Sequence, residues 1–404
     1  MTEPRAVDVV VSGAAEILTC AADARDLIGR TSGGVAVDGG RIVAVGDVSA
    51  FTGRRVVDAE GGVVLPGFVD AHTHVVFGGS RVEEYAAKVA GRQPPPGAPL
   101  GIVGTTAVTR SATVEELVDQ AAARVAEMLD HGTTTVESKS GYGLEPAAEL
   151  RILQASNQLG AHSPVDVATT YLGAHAVPVG STPEEYTERV LAQIPEVAGA
   201  GLAEFCDVYC DTGYFDLDQS RRILTAGLEH GLRPKLHLDA YSHTGAADLA
   251  VELDAVSVDH LNLTPLEDVE KLAEAGVVGV YMPCLDYTVG HKNPVDARAL
   301  VDAGLELALA TDVCPGCWTT SMQLAIAMAC RSGGLSVPEA IRAATYGAAR
   351  SLGREDRIGS LEAGKQADLI VLDLPSHEHV AYRIGRNSVT SVVKSGQIVK
   401  EPRR

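Results

Sequence analysis

The feature that most constrains this chain is an alternation. Between residues 66 and 356, short apolar β-prone runs take turns with stretches of helical periodicity. Strands are expected at 133–137, 165–172, 205–209, 233–237, 255–259, 277–281 and 306–310. A buried run over 62–69, leading into His72, brings them to eight. Between them lie helical patterns such as 113–129, where Thr113 and Glu116 have the spacing of a capping box. Repeated β–α units of this size give a parallel barrel or a doubly wound sheet, and eight strands favour the α/β class (β/α)8 barrel. The two ends read differently. Alternating segments at 35–46, 367–373 and 389–399 carry hairpin turns at Asp38-Gly-Gly and Ser395-Gly396. A small β-sandwich domain built from 1–65 and 357–404 is therefore expected around a barrel domain of 66–356.

With 404 residues, 46% hydrophobic and 21% charged, the chain can bury a large core. No apolar run approaches the roughly 18 residues that span a bilayer. The N-terminus lacks a basic patch followed by an apolar stretch, so no secretory signal is expected. Seven cysteines without regular spacing suit a reducing, cytoplasmic compartment better than a disulfide framework. A net charge of −20 argues against nucleic acid or an anionic membrane as partner. An anionic substrate would need a local basic group.

The chemistry is expected at strand ends, where both architectures place their sites. In Asp70-Ala-His72-Thr-His74, period-two geometry sends both imidazoles to one side. His237 ends the strand 233–237, and Asp312 follows the strand 306–310. Alone, each is as well explained as a hydrogen-bonded core residue. Together, three nitrogens and one carboxylate suit one divalent ion, zinc or iron, with room for water. Such an ion lowers the pKa of water from 15.7 to about 7, which points to hydrolysis. His260, after the strand 255–259, is either a fifth ligand or a proton carrier that polarises a substrate carbonyl. Four ligands already suffice, so the second role is preferred. Asp312 is expected to accept a proton from the water. No lysine except Lys139 looks well placed to bridge two ions, hence one metal.

Several blocks resemble the amidohydrolase superfamily, and within it the imidazolonepropionase family, nearly end to end. They are Leu65-Pro-Gly-Phe-Val-Asp-Ala-His-Thr-His-Val-Val-Phe-Gly-Gly-Ser-Arg81, Lys139-Ser-Gly-Tyr-Gly-Leu144, Tyr171-Leu-Gly-Ala-His-Ala176, Asp259-His260 and Ala310-Thr-Asp312. The Gly-Gly-Ser-Arg and Lys-Ser-Gly-Tyr-Gly blocks are far more specific than His-x-His. The resemblance implies hydrolysis of 4-imidazolone-5-propanoate to N-formimidoyl-glutamate in histidine degradation. It also implies a homodimer, a metal on His72, His74, His237 and Asp312, and substrate contacts from Arg81, Tyr142 and His175. Arg81 would offer a planar fork to a carboxylate-bearing heterocycle. Without the resemblance, an ion-paired surface Arg, a packed Tyr and a capping His describe these three equally well.

The chain departs from the family pattern at Ala240, where Glu or Gln is usual, and at Cys314-Pro-Gly-Cys317, where Asn-Pro-Gly-Ser is usual. It departs again at Met282-Pro-Cys284 and at Pro94-Pro-Pro96. Tyr241 or His243 is a candidate to compensate for Ala240. Cys314 and Cys317 read as a softer pocket wall beside Trp318 rather than as a redox pair. These departures leave open a related ring, hydantoin-like, sulfur-containing or aminated, and a binding protein without turnover.

Overall fold

The structure, a computed structural model, describes residues 4–401. Residues 1–3, on which the reading of the N-terminus partly rests, lie outside these, as do 402–404. The chain begins with β1 (Arg5–Leu18), β2 (Arg30–Asp38), β3 (Arg41–Gly46), β4 (Phe51–Asp58) and β5 (Val63–Pro66). There follow β6 (Phe68–Asp70), β7 (Thr133–Lys139), β8 (Asp166–Ala174), β9 (Phe205–Cys210), β10 (Arg233–Leu238), β11 (Ser257–His260), β12 (Val278–Tyr281) and β13 (Leu307–Leu309). The chain returns through β14 (Leu369–Leu372), β15 (Val389–Lys394) and β16 (Gln397–Lys400).

Strands β6 to β13 form a parallel eight-stranded sheet in sequence order, with helices between successive strands. Its two edges meet just past the last paired residues. The Asp312 amide donates to the His72 carbonyl at 3.1 Å, and the His74 amide to the Val313 carbonyl at 2.9 Å. Thr311 adds its amide (3.0 Å) and hydroxyl (2.6 Å) to the Asp70 carboxylate. The (β/α)8 barrel is thus closed across its seam, as the eight-strand alternation implied.

The alternation along each strand explains the layering. Outward residues such as Val136, Val208, Leu236 and Val258 are fully buried in one core with helix residues Ile152, Leu224, Leu249 and Val269. Burying each such side chain contributes roughly 1.5–3 kcal/mol. Their neighbours Glu137, Lys139, Asp207, Lys235, His237 and Asp259 point into the barrel and are also buried. Thr113 and Glu116 form the expected capping box at the start of the helix Val114–Asp130.

The terminal strands make a second eight-stranded sheet, ordered β16-β15-β14-β5-β1-β2-β3, with β4 paired to β1. Its hairpins turn at Gly39-Gly40 and Ser395-Gly396, as the sequence pattern predicted. One correction concerns 62–69, expected as a single strand. It is two strands in two sheets: β5 pairs with β1 and β14, and β6 pairs with β7. Pro66 lacks a ladder donor, and Gly67 passes so close to Thr134 that a Cβ would lie 2.3 Å from it. His72 and His74 consequently sit beyond the strand, in the seam.

Behind β13 a single helical stretch from Val337 to Ser351 contains a π turn at Ala343–Gly347. A Cβ on Gly347 would fall 2.0 Å from the Leu307 carbonyl oxygen. Gly347→Ala must push this helix off β13, and overpacking of this kind costs about 1–3 kcal/mol. A lowered thermal midpoint in calorimetry is expected; an unchanged one would contradict the close approach.

Candidate metal centre and active site

The C-terminal mouth of the barrel opens into a cavity of about 380 Å³. All eight residues singled out in the sequence line it: His72, His74, His237, His260, Asp312, Arg81, Tyr142 and His175. Ligand-capable atoms of His72, His74 and His237 lie within 4.8 Å of one another. The Oδ1 of Asp312 is 3.7 Å from His72 Nε2 and 4.0 Å from His74 Nε2. The His260 ring centroid is 5.0 Å from that of His237. His260 (φ 81°) and Asp312 (φ 48°) both take left-handed backbone conformations, unusual for residues with a Cβ, which turn the chain sharply at the strand ends.

The orientation of the imidazoles is set from below. Asp259 Oδ2 lies 2.8 Å from His72 Nδ1, and Asp207 Oδ2 lies 3.0 Å from His237 Nδ1. His74 Nδ1 faces the Ser140 carbonyl at 3.2 Å. The His72 and His74 contacts are hydrogen bonds that favour a proton on Nδ1 and turn Nε2 towards the cavity, whereas the His237 contact is close without hydrogen-bond alignment. Beneath them, Lys139 Nζ lies 2.7 Å from Asp207, 2.9 Å from Asp259 and 3.2 Å from Glu137. Lys235 joins at 2.9 Å from Glu137. The expectation that Lys139 is the only well-placed lysine is thus corrected: Lys235 is equally buried, and carboxylates already hold both amines.

Burial, then the Lys139 charge, pushes His72 well below the ordinary imidazole value. Burial does the same to His74 and His260, and takes His175 down to about 3. Burial, with the Asp70 and Asp259 carboxylates, pushes Asp312 well above the carboxylate range. Burial would also raise Asp207, but His237 and Lys139 hold it well below. The Nε2 atoms of His72, His237 and His260 and the Oδ1 of Asp312 are buried without a hydrogen-bond partner. Unpartnered imidazole nitrogens of His72 and His237, beside a buried carboxyl whose ionised form a positive charge would stabilise, fit a divalent cation.

Tyr142 is presented by a loop wrapped on a carboxylate. Buried Glu149 accepts the amides of Gly141 (2.8 Å), Gly143 (2.7 Å) and Leu144 (2.7 Å). Gly141 has φ +108°, and a Cβ there would lie 2.7 Å from His175. His175 stacks on His74 with ring centroids 4.8 Å apart, its Nδ1 3.0 Å from the Gly141 carbonyl. Arg81 differs from the expected free fork. Its Nε and Nη2 both donate to Glu84 at 2.7 Å, which leaves only the Nη1 side towards the cavity.

Among the departures, Cys314 lines the cavity, while Ala240 is buried outside its lining. Tyr241 lines the cavity together with Tyr209 and Tyr214, whereas His243 is held by Asp268 at 2.9 Å. Cys317 and Cys284 are buried behind the wall, against Thr288 (3.7 Å) and Met328 (3.7 Å). Trp318 stands edge-on to Phe77 and is half exposed at a neighbouring cleft. Sequence reasoning missed Asp207, Glu137, Lys235 and Glu149. The period-two spacing of Asp207 from Tyr209 and of Lys235 from His237 was the available signal.

The amidohydrolase family profile matches residues 219–399, and a second profile of that family matches 55–111. The chain is 42% identical over 407 residues to an imidazolonepropionase of Haloarcula marismortui, covering 98% of this chain and 97% of that one. It is 42% identical over 382 residues to an imidazolonepropionase of Geobacillus kaustophilus, covering 91% and 90%. Among solved structures, an adenosine deaminase of Xanthomonas campestris with bound zinc superposes with a TM-score of 0.77 at 22% identity, covering 99% of this chain and 94% of that one. A zinc complex of atrazine chlorohydrolase from Arthrobacter aurescens gives 0.73 at 19% identity, covering 97% and 95%. These two share the fold. With relatives of such identity along nearly its whole length, the chain belongs to the imidazolonepropionase family of amidohydrolases.

Proposed function

We propose that this chain opens the ring of 4-imidazolone-5-propanoate by hydrolysis, giving N-formimidoyl-glutamate in histidine degradation. The observation that carries this reading is the convergence of unpartnered His72 and His237 Nε2 and Asp312 Oδ1 in the cavity that Arg81 also lines. His72, His74, His237 and Asp312 would hold one divalent cation, zinc or iron. A cation there polarises a carbonyl and lowers the pKa of water to about 7.

The chain's own residues do the rest. Arg81 takes the propanoate carboxylate, the local positive charge that a chain of net charge −20 needs. Tyr142 donates its hydroxyl to the ring, and His175, whose Nδ1 proton is committed to the Gly141 carbonyl, accepts from a ring N–H through Nε2; together they fix its plane. His260, kept neutral by burial, donates to the ring carbonyl. Asp312 takes a proton from the attacking water and returns it to the departing ring nitrogen as the C–N bond breaks. Water adds across that bond, and no other reactant is consumed. One observation favours a second reading, a related ring: Cys314, a weak hydrogen-bonding group, lines the cavity where the family pattern has a polar amide. Parallel ultraviolet assays decide, and negligible imidazolone turnover would select it.

A cytoplasmic enzyme is the companion reading, supported by cysteines that are all free in the structure. Among the described residues no helix is long and apolar enough to cross a membrane. A homodimer is proposed from the family resemblance, and light scattering tests it. His237→Ala should abolish both bound metal and turnover; an active metal-free protein would overturn the centre. Asp259→Asn frees the His72 ring to turn, and metal affinity should fall about 10–100-fold in chelator competition.

A further inference from the structure

We propose that Glu84 is a positioning residue: it holds the Arg81 guanidinium so that the edge it leaves open meets the substrate carboxylate. The inference rests on the reading of Arg81 above as the carboxylate contact.

A guanidinium has two edges that can grip a carboxylate with a pair of parallel bonds. One runs from Nε to Nη2, the other from Nη2 to Nη1. Glu84 takes the first edge completely, with Nε to Oε2 at 2.7 Å and Nη2 to Oε1 at 2.7 Å. The Oε2 atom also accepts the Gly101 amide at 2.9 Å. Glu84 lies on the helix Val82–Val89 and Gly101 opens the helix Gly101–Ser111, so one carboxylate ties two helices and the arginine together. The hydrogen bonds from Arg81 lower its pKa and favour the ionised form.

The second edge of Arg81 shares Nη2 with the first and faces away from Glu84 on the Nη1 side. A Cβ on Gly316 would lie 3.5 Å from Nη1 and 3.9 Å from Cys314 Sγ, which places that nitrogen against the cavity wall. Among the described residues, Nη1 has no carboxylate or carbonyl partner in hydrogen-bond range. An arginine free to rotate would have to be ordered by the substrate, whereas this one is ordered beforehand. The opposing effect is repulsion between Glu84 and the incoming carboxylate. Those two anions sit on adjacent edges that share Nη2, each held by its own pair of N–H bonds to the cation, beside an open cavity. Orientation therefore outweighs repulsion.

The test compares 4-imidazolone-5-propanoate with its propanamide in wild type, E84Q and R81Q, by ultraviolet turnover on metal-loaded enzyme. In E84Q the KM for the carboxylate should rise about tenfold, the upper end of what ordering one long side chain costs. The ratio of kcat/KM for carboxylate over amide should fall by the same factor, with kcat changed far less. General damage to the fold would lower both substrates and leave that ratio unmoved, which overturns the proposal. So would a KM that stays level or falls. R81Q separates the two layers. A carboxylate preference that survives R81Q defeats the reading of Arg81 and the role of Glu84 with it. A preference lost in R81Q but intact in E84Q defeats the role of Glu84 alone.

Discussion

The site depends on one buried contact set, the Lys139 ammonium gripped by Asp207 and Asp259. Two carboxylates of unlike strands would repel each other in a dry interior. The cation between them converts that repulsion into a fixed spacing. In each carboxylate the oxygen that meets Lys139, Oδ2, also meets an imidazole, Asp259 to His72 and Asp207 to His237. The positions of two nitrogen donors are therefore dictated from the layer beneath, before anything binds above. Glu137 and Lys235 extend the same layer and, with Thr170, leave little freedom for any member to turn.

The barrel seam does comparable work at right angles. His72 and Asp312 lie just past the first and last strands of the sheet and are 240 residues apart along the chain. A backbone hydrogen bond between them both closes the barrel and sets the spacing of two candidate ligands. Asp70, two residues before His72, reinforces the joint through Thr311, the residue preceding Asp312. Closure of the fold and assembly of the centre are one event.

Which parts were legible in the sequence follows from these contacts. His72, His74, His237, His260 and Asp312 stand at the ends of β-prone runs, and strand-end chemistry is a local signal. Asp207, Glu137 and Lys235 lie inside apolar strands, where a charge acquires meaning only from partners far along the chain. Glu149 is hidden for a different reason: in sequence it is one more acidic residue near a helix start, and only the fold shows it shaping the loop of Tyr142. The break at Pro66-Gly67 was visible as residues, yet an unbroken apolar run concealed that two sheets share it. Arg81 and Glu84 stand three apart, a spacing at which helical side chains meet, so that pair could have been anticipated.

The placement of β14 between β5 and β15 has a consequence for how the molecule comes into being. Until residues 369–372 leave the ribosome, the fully apolar β5 keeps one bare edge, though the strands before it and the whole barrel have already emerged. A bare hydrophobic edge invites pairing with a neighbouring nascent chain. The C-terminal strands thus act as a late-arriving cover, and chains cut short before them would be prone to clump even with every candidate ligand of the barrel mouth in place.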